Sequence, residues 1–442
     1  MISRIASFLL LAFAAVVSSN AQTPDTLRAP GMHLGVVDTI IVIGNTKTLA
    51  YVILNEMTLK RGSVVTEEAI EYDRNRIYSL GLFTRVDITF DTLGTVKFLT
   101  VSVSERWHLI PLLIFGFRDG DVKKPYFGAG FLHNNFRGRN QKLYASLILG
   151  YNPSASFSYA DPLLDRERRL MFSTGLSFER IHNLSQEEAL AYGDYEEQHY
   201  NISASLGHRI NIYETITAIF GFRVITVSDY RPGRTVSTSG RDAFPLATLT
   251  YTRDTRDLSE YATRGSFMNF YATSNGLGLA AVEYARFGAD VRTYLELPAS
   301  LTLVGRLFGT AVAGGEVPPY GRAYFGYAER IRGYFSTVLE GEDQCGGTVE
   351  LRFALLKPRV IHFTAIPLPP EFVYWRFGLS LTTFADVGTT WFRGQSLTWN
   401  SFSSGYGGGL DILLPYSFIV RLQYAWNDYG RGQFILDLRR PI

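Results

Sequence analysis

Most of the chain after Trp107 carries apolar residues at every second position. In Gln198–Gly207, tyrosine, isoleucine, alanine and leucine alternate with polar or small residues, and Glu283–Leu295 and Phe418–Asn427 repeat the pattern. A period of two places one set of side chains on each face of a β-strand. We count about sixteen such segments, separated by turn residues. One face of each segment is apolar enough to contact lipid, and the other face tolerates charge.

A single sheet of this size must either close on itself or leave long unpaired edges. A soluble sandwich would also alternate, but closure satisfies every backbone hydrogen-bonding group, which is the condition for crossing lipid. The connections alternate between short ones (211–213, 298–300, 415–417) and long ones (181–197, 228–243, 313–345, 393–404). We therefore predict a membrane all-β fold over residues 107–442, a 16-stranded antiparallel transmembrane β-barrel with long external loops and short periplasmic turns.

The composition agrees with hydrophobicity that is spread along the chain rather than concentrated. Apolar residues make up 46% and aromatic residues 14% of the 442 residues, whereas charged residues make up 19%. Such a chain can bury a large surface, which excludes disorder. Beyond the N-terminus, no stretch approaches the ~18 apolar residues of a membrane-spanning helix. A net charge of +2, from 43 basic and 41 acidic residues, gives no sign of a nucleic-acid partner.

Residues 1–21 have the three regions of a secretory signal peptide. A positive charge precedes the apolar run Ile5–Val17, and the small residues Ser19 and Ala21 form a cleavage site. The alternative is a short anchor helix, which suits neither the length of the apolar run nor the small residues that follow it. We expect the signal peptide to be removed and residues 22–35 to form a linker.

Residues 36–106 have the pattern of a small α+β domain. The β-branched, apolar segment 36–43 predicts a strand, and two helical segments and two further strands follow it, in the order β-α-α-β-β. Thr66 is a predicted N-cap of the second helix, because its hydroxyl can accept a hydrogen bond from a free backbone N–H of the first turn. Gly81 stands where a left-handed residue ends such a helix.

Motifs along the chain resemble those of one protein family. Residues 36–106 resemble a polypeptide-transport-associated (POTRA) domain, whose motif residues here are Gly44, Asn45, Gly81, Phe83 and Val86. Three barrel segments resemble the family's periplasmic hairpins, with motif residues Asn135 and Gly138, then Asp161 and Pro162, then Asp254, Arg256, Asp257, Arg264 and Gly265. Two further segments resemble its (V/I)RG(F/Y) and FxDxG motifs, namely Ile331, Arg332, Gly333 and Tyr334, and Phe384, Asp386 and Gly388. In this order, the motifs identify the chain as a member of the BamA-type outer-membrane assembly and two-partner-secretion transporter superfamily.

Two of these motifs predict a contact inside the barrel. On the predicted strand Phe377–Gly388, the alternation places Asp386 on the polar, lumenal face. Arg332 belongs to the longest predicted external loop. If that loop folds into the lumen, the guanidinium can meet the carboxylate through two parallel hydrogen bonds. We predict an ion pair between Arg332 and Asp386 that holds the loop inside the barrel; the alternative is that Arg332 is a solvated loop cation.

The resemblance implies a protein of the cell outer membrane with its POTRA domain in the periplasm, which folds and inserts other β-barrel proteins. Its expected partners are unfolded outer-membrane proteins, outer-membrane lipid, and accessory lipoproteins or periplasmic chaperones. An edge strand of the POTRA domain would pair with an extended client. The seam between residues 109–117 and 433–439 would then open sideways. Two alternatives remain open: a translocase that exports one dedicated partner polypeptide, and a passive porin.

No residue pattern points to catalysis. The chain contains neither a GxxxxGK[ST] phosphate loop nor a GxSxG nucleophile elbow. Its seven histidines are scattered without metal-ligand spacing. Cys345 is the only cysteine, which excludes an intramolecular disulfide, and we expect it to fill a loop or a strand end. We therefore predict that the protein is not an enzyme and binds no cofactor and no metal.

Overall fold

A computed structural model of the protein describes residues 33–118, 122–334, 337–362, 369 and 373–439. The predicted signal peptide, and all of the predicted linker except its last three residues, lie outside the described residues. The elements of the N-terminal module are β1 (Gly35–Val36), β2 (Thr39–Ile43), α1 (Ala50–Leu54), β3 (Val64–Val65), α2 (Glu67–Ser79), β4 (Phe83–Leu93) and β5 (Val96–Glu105).

The module is built on a three-stranded sheet. The central strand β5 is parallel to β2 and antiparallel to β4, while β1 pairs separately with β3. Thr66 begins α2, since its hydroxyl accepts a hydrogen bond from the backbone N–H of Ala69 at 3.2 Å. Gly81 follows the helix in the left-handed region, with φ of 71°. Ile77 and Leu99 are fully buried in the core between helices and sheet. The predicted β-α-α-β-β order is confirmed, with the short β1–β3 pair in addition.

The rest of the chain forms one large antiparallel sheet with loops between its strands. The strands before the longest loop are β6 (Leu109–Phe117), β7 (Pro125–Phe136), β8 (Gln141–Gly150), β9 (Ser154–Asp165), β10 (Leu170–His182), β11 (Glu196–Arg209), β12 (Glu214–Val227), β13 (Arg241–Asp254), β14 (Gly265–Asn275), β15 (Tyr284–Leu297) and β16 (Leu301–Gly314). Within that loop lie two short strands, β17 (Ala323–Phe325) and β18 (Leu339–Gly341). The sheet continues with β19 (Asp343–His362), β20 (Tyr374–Trp391), β21 (Ser403–Leu414), β22 (Phe418–Asn427) and β23 (Gly432–Arg439). The helix α3 (Gln186–Tyr192) follows β10, and 3₁₀ turns occupy Pro319–Gly321, Trp399–Ser401 and Pro415–Ser417.

The large sheet has sixteen strands among the described residues, as predicted. Each strand pairs with its neighbours in the sequence, and β16 pairs with β19 across the long loop. The sheet begins at β6 and ends at β23. Over the described residues, no ladder joins these two strands. No helix among the described residues is long and apolar enough to cross a membrane.

The alternation of the sequence separates two surfaces of the sheet. Outward side chains such as Leu206, Phe220 and Leu249 are more than half exposed. Intervening side chains such as those of Asp386 and Asp411 are buried on the inner side. An apolar outer surface around a polar interior is the pattern of a transmembrane barrel.

The module lies against one end of the barrel, called here the module end. The backbone N–H of Leu49 donates to the carbonyl of Gly138 in the β7–β8 turn at 2.9 Å. Leu258, from the β13–β14 connection, is buried in the hydrophobic core of the module. The guanidinium of Arg106 lies 5.3 Å from the ring of Tyr416 in the β21–β22 turn. Since these turns come from separate parts of the sheet, the module reaches across the barrel end.

The β19–β20 hairpin is longer than the sequence pattern predicts. These strands have 20 and 18 residues, whereas the predicted strand covers only Phe377–Gly388. The β19–β20 ladder has two register shifts, between Ala354 and Leu356 and between Leu356 and Arg359. Beyond them, Tyr374 lies 5.2 Å from the guanidinium of Arg85 on β4. The hairpin therefore extends as far as the module, beyond two irregularities in its pairing.

Candidate functional site

The loop between β17 and β18 enters the barrel lumen and is fixed there by its own side chains. Ile331 and Tyr334 are 2% and 9% exposed and pack with Phe325 in one hydrophobic cluster. Gly333 has φ of 99°, a conformation that favours glycine. A Cβ atom on Gly333 would also lie 2.9 Å from the carbonyl oxygen of Trp426. The backbone between the two anchors can therefore lie directly against the barrel wall.

Arg332 binds two carboxylates of the wall. Its Nε and Nη2 donate to the two oxygens of Asp386, each at 2.7 Å, and its backbone N–H donates to Oδ2 of the same residue at 3.1 Å. Its Nη1 donates to Oε2 of Glu350 at 3.0 Å. The three side chains are only 5–16% exposed. In so dry a place, bidentate charge-assisted hydrogen bonds are stronger than at a surface. The loop is thus bound to β19 and β20 at once.

The same guanidinium lies on an aromatic ring. Its carbon is 3.5 Å from the ring centroid of Phe384, which is 5% exposed. Phe384 packs in turn against Ala425 and Ile435, on β22 and β23. Cation–π contact adds to the attraction where water is excluded. Arg332 therefore connects, through one ring, to the last strand of the sheet.

A chain of polar contacts leads from the loop toward the module end. Glu350, which binds Arg332, also accepts a hydrogen bond from Nε of Arg352 at 2.6 Å. The guanidinium of Arg352 lies 4.3 Å from the ring of Tyr261, whose hydroxyl donates to Asp411 at 3.2 Å. Tyr261 belongs to the β13–β14 connection that also carries Leu258 into the module core. Loop and module are therefore linked through contiguous side chains.

Two glycines make room for the loop. A Cβ atom on Gly388 would lie 2.7 Å from the ring of Phe325 and 3.1 Å from the side chain of Ile331. A Cβ atom on Gly405 would overlap the carbonyl oxygen of Arg332. Gly405 lies opposite Asp386 in the β20–β21 ladder. A larger residue at either position would push the loop away from the carboxylates.

The first hairpin motif spans the end of β7 and the β7–β8 turn and contacts the module. Asn135 is 3% exposed, and its Nδ2 donates to Oγ1 of Thr48 at 2.8 Å, while its Oδ1 accepts from the backbone N–H of Asn140 at 2.8 Å. Gly138 has φ of 68°, and a Cβ atom there would overlap the carbonyl oxygen of Lys47. These residues therefore seat the module on the barrel.

The second motif lies within a strand and not in a turn. Asp161 and Pro162 belong to β9, where the β9–β10 ladder has a register shift that accommodates them. The carboxylate of Asp161 accepts hydrogen bonds from Nε2 of Gln141 at 2.6 Å and from the backbone N–H of Leu163 at 3.0 Å. A proline has no N–H for a ladder, which explains the irregular pairing.

The third motif shapes the β13–β14 connection. Arg256 donates to both oxygens of Asp254, at 2.9 and 2.7 Å. Asp257 closes the connection by accepting hydrogen bonds from the backbone N–H groups of Thr263 and Arg264, at 2.9 and 3.1 Å. Gly265, with φ of 96°, begins β14. Outside the connection, Nη1 of Arg264 binds Glu68 on α2 at 3.0 Å. The motif thus presents a rigid connection to the module.

The POTRA motif residues lie in the turns and in the hydrophobic core of the module. Gly44 has φ of 84°, and a Cβ atom there would overlap the carbonyl oxygen of Val103. Asn45 donates from Nδ2 to the carbonyl of Thr48 at 2.9 Å. Phe83 and Val86 are 0% and 5% exposed in the core. These residues hold the turn and the sheet together and do not reach the Arg332 site.

Charge complementarity reinforces the contact between module and barrel. Glu56 accepts hydrogen bonds from both terminal nitrogens of Arg209, on β11, at 2.6 and 2.8 Å, and from Nη2 of Arg76, on α2, at 3.0 Å. Burial alone would raise the pKa of Glu56. The hydrogen bonds and charges of the two arginines outweigh burial and hold that pKa below its ordinary value. The carboxylate is therefore ionised whenever the two parts are in contact near neutral pH.

Several residues of the site were not predicted from the sequence. Glu350 and Arg352 lie on β19 and Tyr261 lies in the β13–β14 connection, and only the first two could have been indicated, by their positions on the lumenal face of the strand. Gly405 belongs to the glycine-rich segment 403–409, whose composition was a usable signal for close backbone approach. Among the residues that the structure describes, no group of three or more histidine, cysteine, aspartate or glutamate side chains is placed to hold a metal ion.

Comparison with known proteins agrees with this architecture. Residues 135–436 match the family model described as "Omp85 superfamily domain", and residues 36–106 match the POTRA model "Surface antigen variable number repeat". Outer membrane protein assembly factor BamA of Nitratidesulfovibrio vulgaris is 23% identical over 394 residues. The alignment covers 82% of this chain, which spans only 45% of that relative's length.

Solved structures of the same fold come from two kinds of protein. BamA from Haemophilus ducreyi lacking POTRA domains 1–3 aligns with a TM-score of 0.54 at 14% identity, covering 91% of this chain and 83% of that one. CdiB from Acinetobacter baumannii gives 0.51 at 14% identity, and CdiB from Escherichia coli gives 0.55 at 11%. Each covers 91% of this chain, and 73% and 75% of the respective CdiB chain. At these identities, the likeness concerns the fold. With its barrel matched by the family model, this chain belongs to the Omp85 superfamily, as an outer-membrane β-barrel protein with one periplasmic POTRA domain.

Proposed function

We propose that this protein folds β-barrel proteins and inserts them into the outer membrane. It would do so without bond chemistry, by pairing strands of an unfolded client with its own backbone. The observation that carries the proposal is that, within the described part of the chain, the two end strands of the sheet, β6 and β23, each have one edge without a partner strand. Over the described residues, β6 pairs only with β7 and β23 pairs only with β22. Unpaired strand edges offer a row of backbone donors and acceptors that another chain can complete.

The side chains of these two strands suit a seam that opens into lipid. Leu113 and Phe115 on β6 are 85% and 81% exposed, and Leu436 and Leu438 on β23 are 55% and 70% exposed. Pro111 on β6 has no N–H to donate to a partner strand. The ring of Tyr126 lies over Gly116, so this glycine is covered on one side by its neighbour strand. A client strand that enters here would leave water and find hydrocarbon on its outer face.

The interior of the barrel is a less suitable route for a polypeptide. The loop with Arg332 is bound to the inner wall through Asp386 and Glu350. At the periplasmic end, the POTRA domain contacts turns from separate parts of the sheet, including those of Gly138 and Tyr416. The loop would have to leave the lumen, and the POTRA domain would have to leave the barrel end, before a polypeptide could pass through the barrel. This favours lateral insertion over translocation through the pore.

The POTRA domain has a strand edge available for an incoming client. β2 pairs only with β5 among the described residues, so its other edge carries no ladder. Ile41 and Ile43 on β2 are 43% and 48% exposed. An extended client could add a strand here by β-augmentation, which uses backbone hydrogen bonds and demands little sequence specificity. We infer that unfolded outer-membrane proteins bind this edge first, delivered by periplasmic chaperones or accessory lipoproteins.

A disulfide scan across the seam tests the proposal. In a Cys345→Ser background, one cysteine is placed in 111–117 and a second in 433–438, and insertion of a model barrel protein into vesicles is measured with and without reductant. The matched control is a Leu176→Cys, Ile202→Cys pair, which faces outward at directly opposed positions of β10 and β11. We expect oxidised seam pairs to lose insertion and to regain it on reduction, while the control pair inserts normally. Full activity of a locked seam would contradict the proposal.

The second candidate, a translocase for one dedicated polypeptide, is favoured by the likeness to the two CdiB structures. Depletion of the protein from cells separates the two functions. An insertase would cause a general loss of barrel proteins from the outer membrane. A translocase would cause the loss of one secreted protein while other barrels stay at their normal level.

A further inference from the structure

The outer wall of the barrel contains an apolar groove that neither the seam nor the lumen explains. It has a volume of about 400 Å³ and crosses four adjacent strands. Its outward side chains are those of Ala289, Val291, Leu307, Cys345, Val349 and Val387. Its lining is almost wholly apolar. Exposed apolar surface of this kind marks a contact with lipid or with another molecule.

Small residues form the floor of the groove. Ala289 on β15 lies opposite Gly309 on β16, which in turn lies opposite Cys345 on β19. Gly347 adds a position without a side chain, and a Cβ atom there would lie 2.8 Å from Cδ2 of Leu307. Elsewhere on the wall, larger side chains such as that of Phe287, which is 49% exposed, project outward. The groove is therefore a real depression between larger neighbours.

Charged residues of the same strands do not enter the groove. Arg306 is one of the lining residues, but its guanidinium is held on the lumenal side by Asp290 and Glu329, both at 2.8 Å. Thr348 lies opposite Asp386 in the ladder and shares its lumenal side. A polar ligand would therefore find no partner in the groove, whereas a hydrocarbon chain would lose nothing there.

The groove lies near the extracellular end of the barrel. Cys345 is close to the start of β19 and Val387 is close to the end of β20, at the end opposite the POTRA domain. The loop that joins β20 to β21 brings Trp399 and Phe402 to the rim, with their ring centroids 5.9 Å apart. Aromatic side chains are enriched where membrane proteins meet the lipid headgroups. The floor of the groove is thus continuous with the lipid-facing surface, below an aromatic rim.

We propose that this groove binds one acyl chain of an outer-leaflet lipid, between the floor at Ala289, Cys345 and Gly347 and the rim at Trp399 and Phe402. The occupant follows from the position, because only hydrocarbon faces this part of the wall in the membrane. A bound chain fills the depression and keeps a lipid molecule at β15–β20. The site is independent of the proposed insertase activity and of any client.

Photochemical cross-linking tests the site with the full protein in vesicles. The vesicles contain phosphatidylethanolamine, phosphatidylglycerol and a phosphatidylethanolamine that carries a diazirine in the middle of one acyl chain. After illumination, labelled peptides are mapped by mass spectrometry. We expect the labels to concentrate on 287–291 and 345–349. The substitutions Ala289→Leu and Cys345→Leu each fill the floor of the groove. Each should lower the labelling of these two segments about fourfold for every methylene group of the acyl chain that the new side chain displaces.

Two control variants distinguish the groove from the general lipid surface. Ala272→Leu adds the same side chain to the lipid-facing side of β14, next to the groove, and should leave the labelling unchanged. Cys345→Ser keeps the groove open and should also retain its label. Labels spread evenly around the barrel, or equal labelling of the leucine variants, would mean annular lipid only and would overturn the site. A cross-linked dimer would identify a second copy as the occupant and would overturn it as well.

The unaltered protein provides a test of the groove even if the leucine variants fail to fold. Folding of each variant is checked by its faster migration on unheated gels. The unaltered protein, exchanged into detergent, is then examined by native mass spectrometry. Retention of close to one lipid per chain supports the groove, and release of all lipid under conditions that keep the barrel folded would contradict it.

Discussion

Arg332 and Asp386 form the contact on which the position of the internal loop depends most. Asp386→Asn removes the charge but keeps the shape, so Arg332 would keep only Glu350 as a charged partner. Loss of one member of a buried pair costs about 3–5 kcal/mol, and we expect the loop to leave the wall for much of the time. Limited proteolysis of the folded protein would then cut near residues 326–334 much faster than in the unaltered protein.

Glu350→Gln is the matched comparison for that variant. It removes the weaker charged partner at 3.0 Å and leaves all three hydrogen bonds of Arg332 to Asp386 in place. We expect an intermediate rate of cleavage. If the loop in Asp386→Asn resists proteolysis as well as it does in the unaltered protein, the hydrophobic anchors Ile331 and Tyr334 hold it without the ion pair.

Gly405 provides a second test at the scale of one residue. In Gly405→Ala the new methyl group would overlap the carbonyl oxygen of Arg332, so either the loop or β21 must shift. Such overpacking costs roughly 1–3 kcal/mol. Thermal unfolding, followed by the loss of fast migration on gels, should move to a lower temperature. Gly175→Ala is the control, because its Cβ would meet the nearest atom at an ordinary 3.4 Å, and its midpoint should not change.

At the scale of elements, the sequence predicts strands well and their distant contacts poorly. Alternation is local, so the sixteen strands and the lumenal side of Asp386 could be derived from residues a few positions apart. The partnership of Arg332 with Glu350 joins two elements whose approach depends on the path of the loop, which no local pattern encodes. Leu258 is a similar case, since one apolar residue in a polar connection gives no sign that it completes the core of another domain.

The contact between POTRA domain and barrel is an element-scale feature with a predictable pH dependence. The pKa of Glu56 is lowered from about 4.5 when it is bound by Arg209 and Arg76. The ion pairs of Glu56 therefore stabilise the contact fully above about pH 4.5, and this stabilisation is lost as the pH falls through the lowered pKa. We expect the domain to separate from the barrel in acid. Pulsed EPR between spin labels on Leu93→Cys and Leu279→Cys, both largely exposed positions, would measure the broadening of the distance distribution.

Glu56→Gln is the control for this pH effect. The amide cannot ionise, so the contact should already be looser at neutral pH, and acid should change the distance distribution much less than in the unaltered protein. A response to acid as large in Glu56→Gln as in the unaltered protein would assign the effect to other carboxylates, such as Glu105, whose pKa is also lowered, by hydrogen bonds that outweigh burial.

For the whole molecule, the decisive question is whether the sixteen strands close at the seam. Amides in the middle of a sheet exchange only when the sheet opens, whereas amides on an unpaired edge are protected by neither ladder nor burial. We expect the edge amides of β6 and β23 to exchange with deuterium far faster than those of β10 and β11, which have partners on both sides. Equal protection would mean that the seam is closed by backbone pairing in the membrane. Lateral insertion would then require those hydrogen bonds to break before a client strand could enter, whereas an edge that already exchanges freely can accept the strand directly.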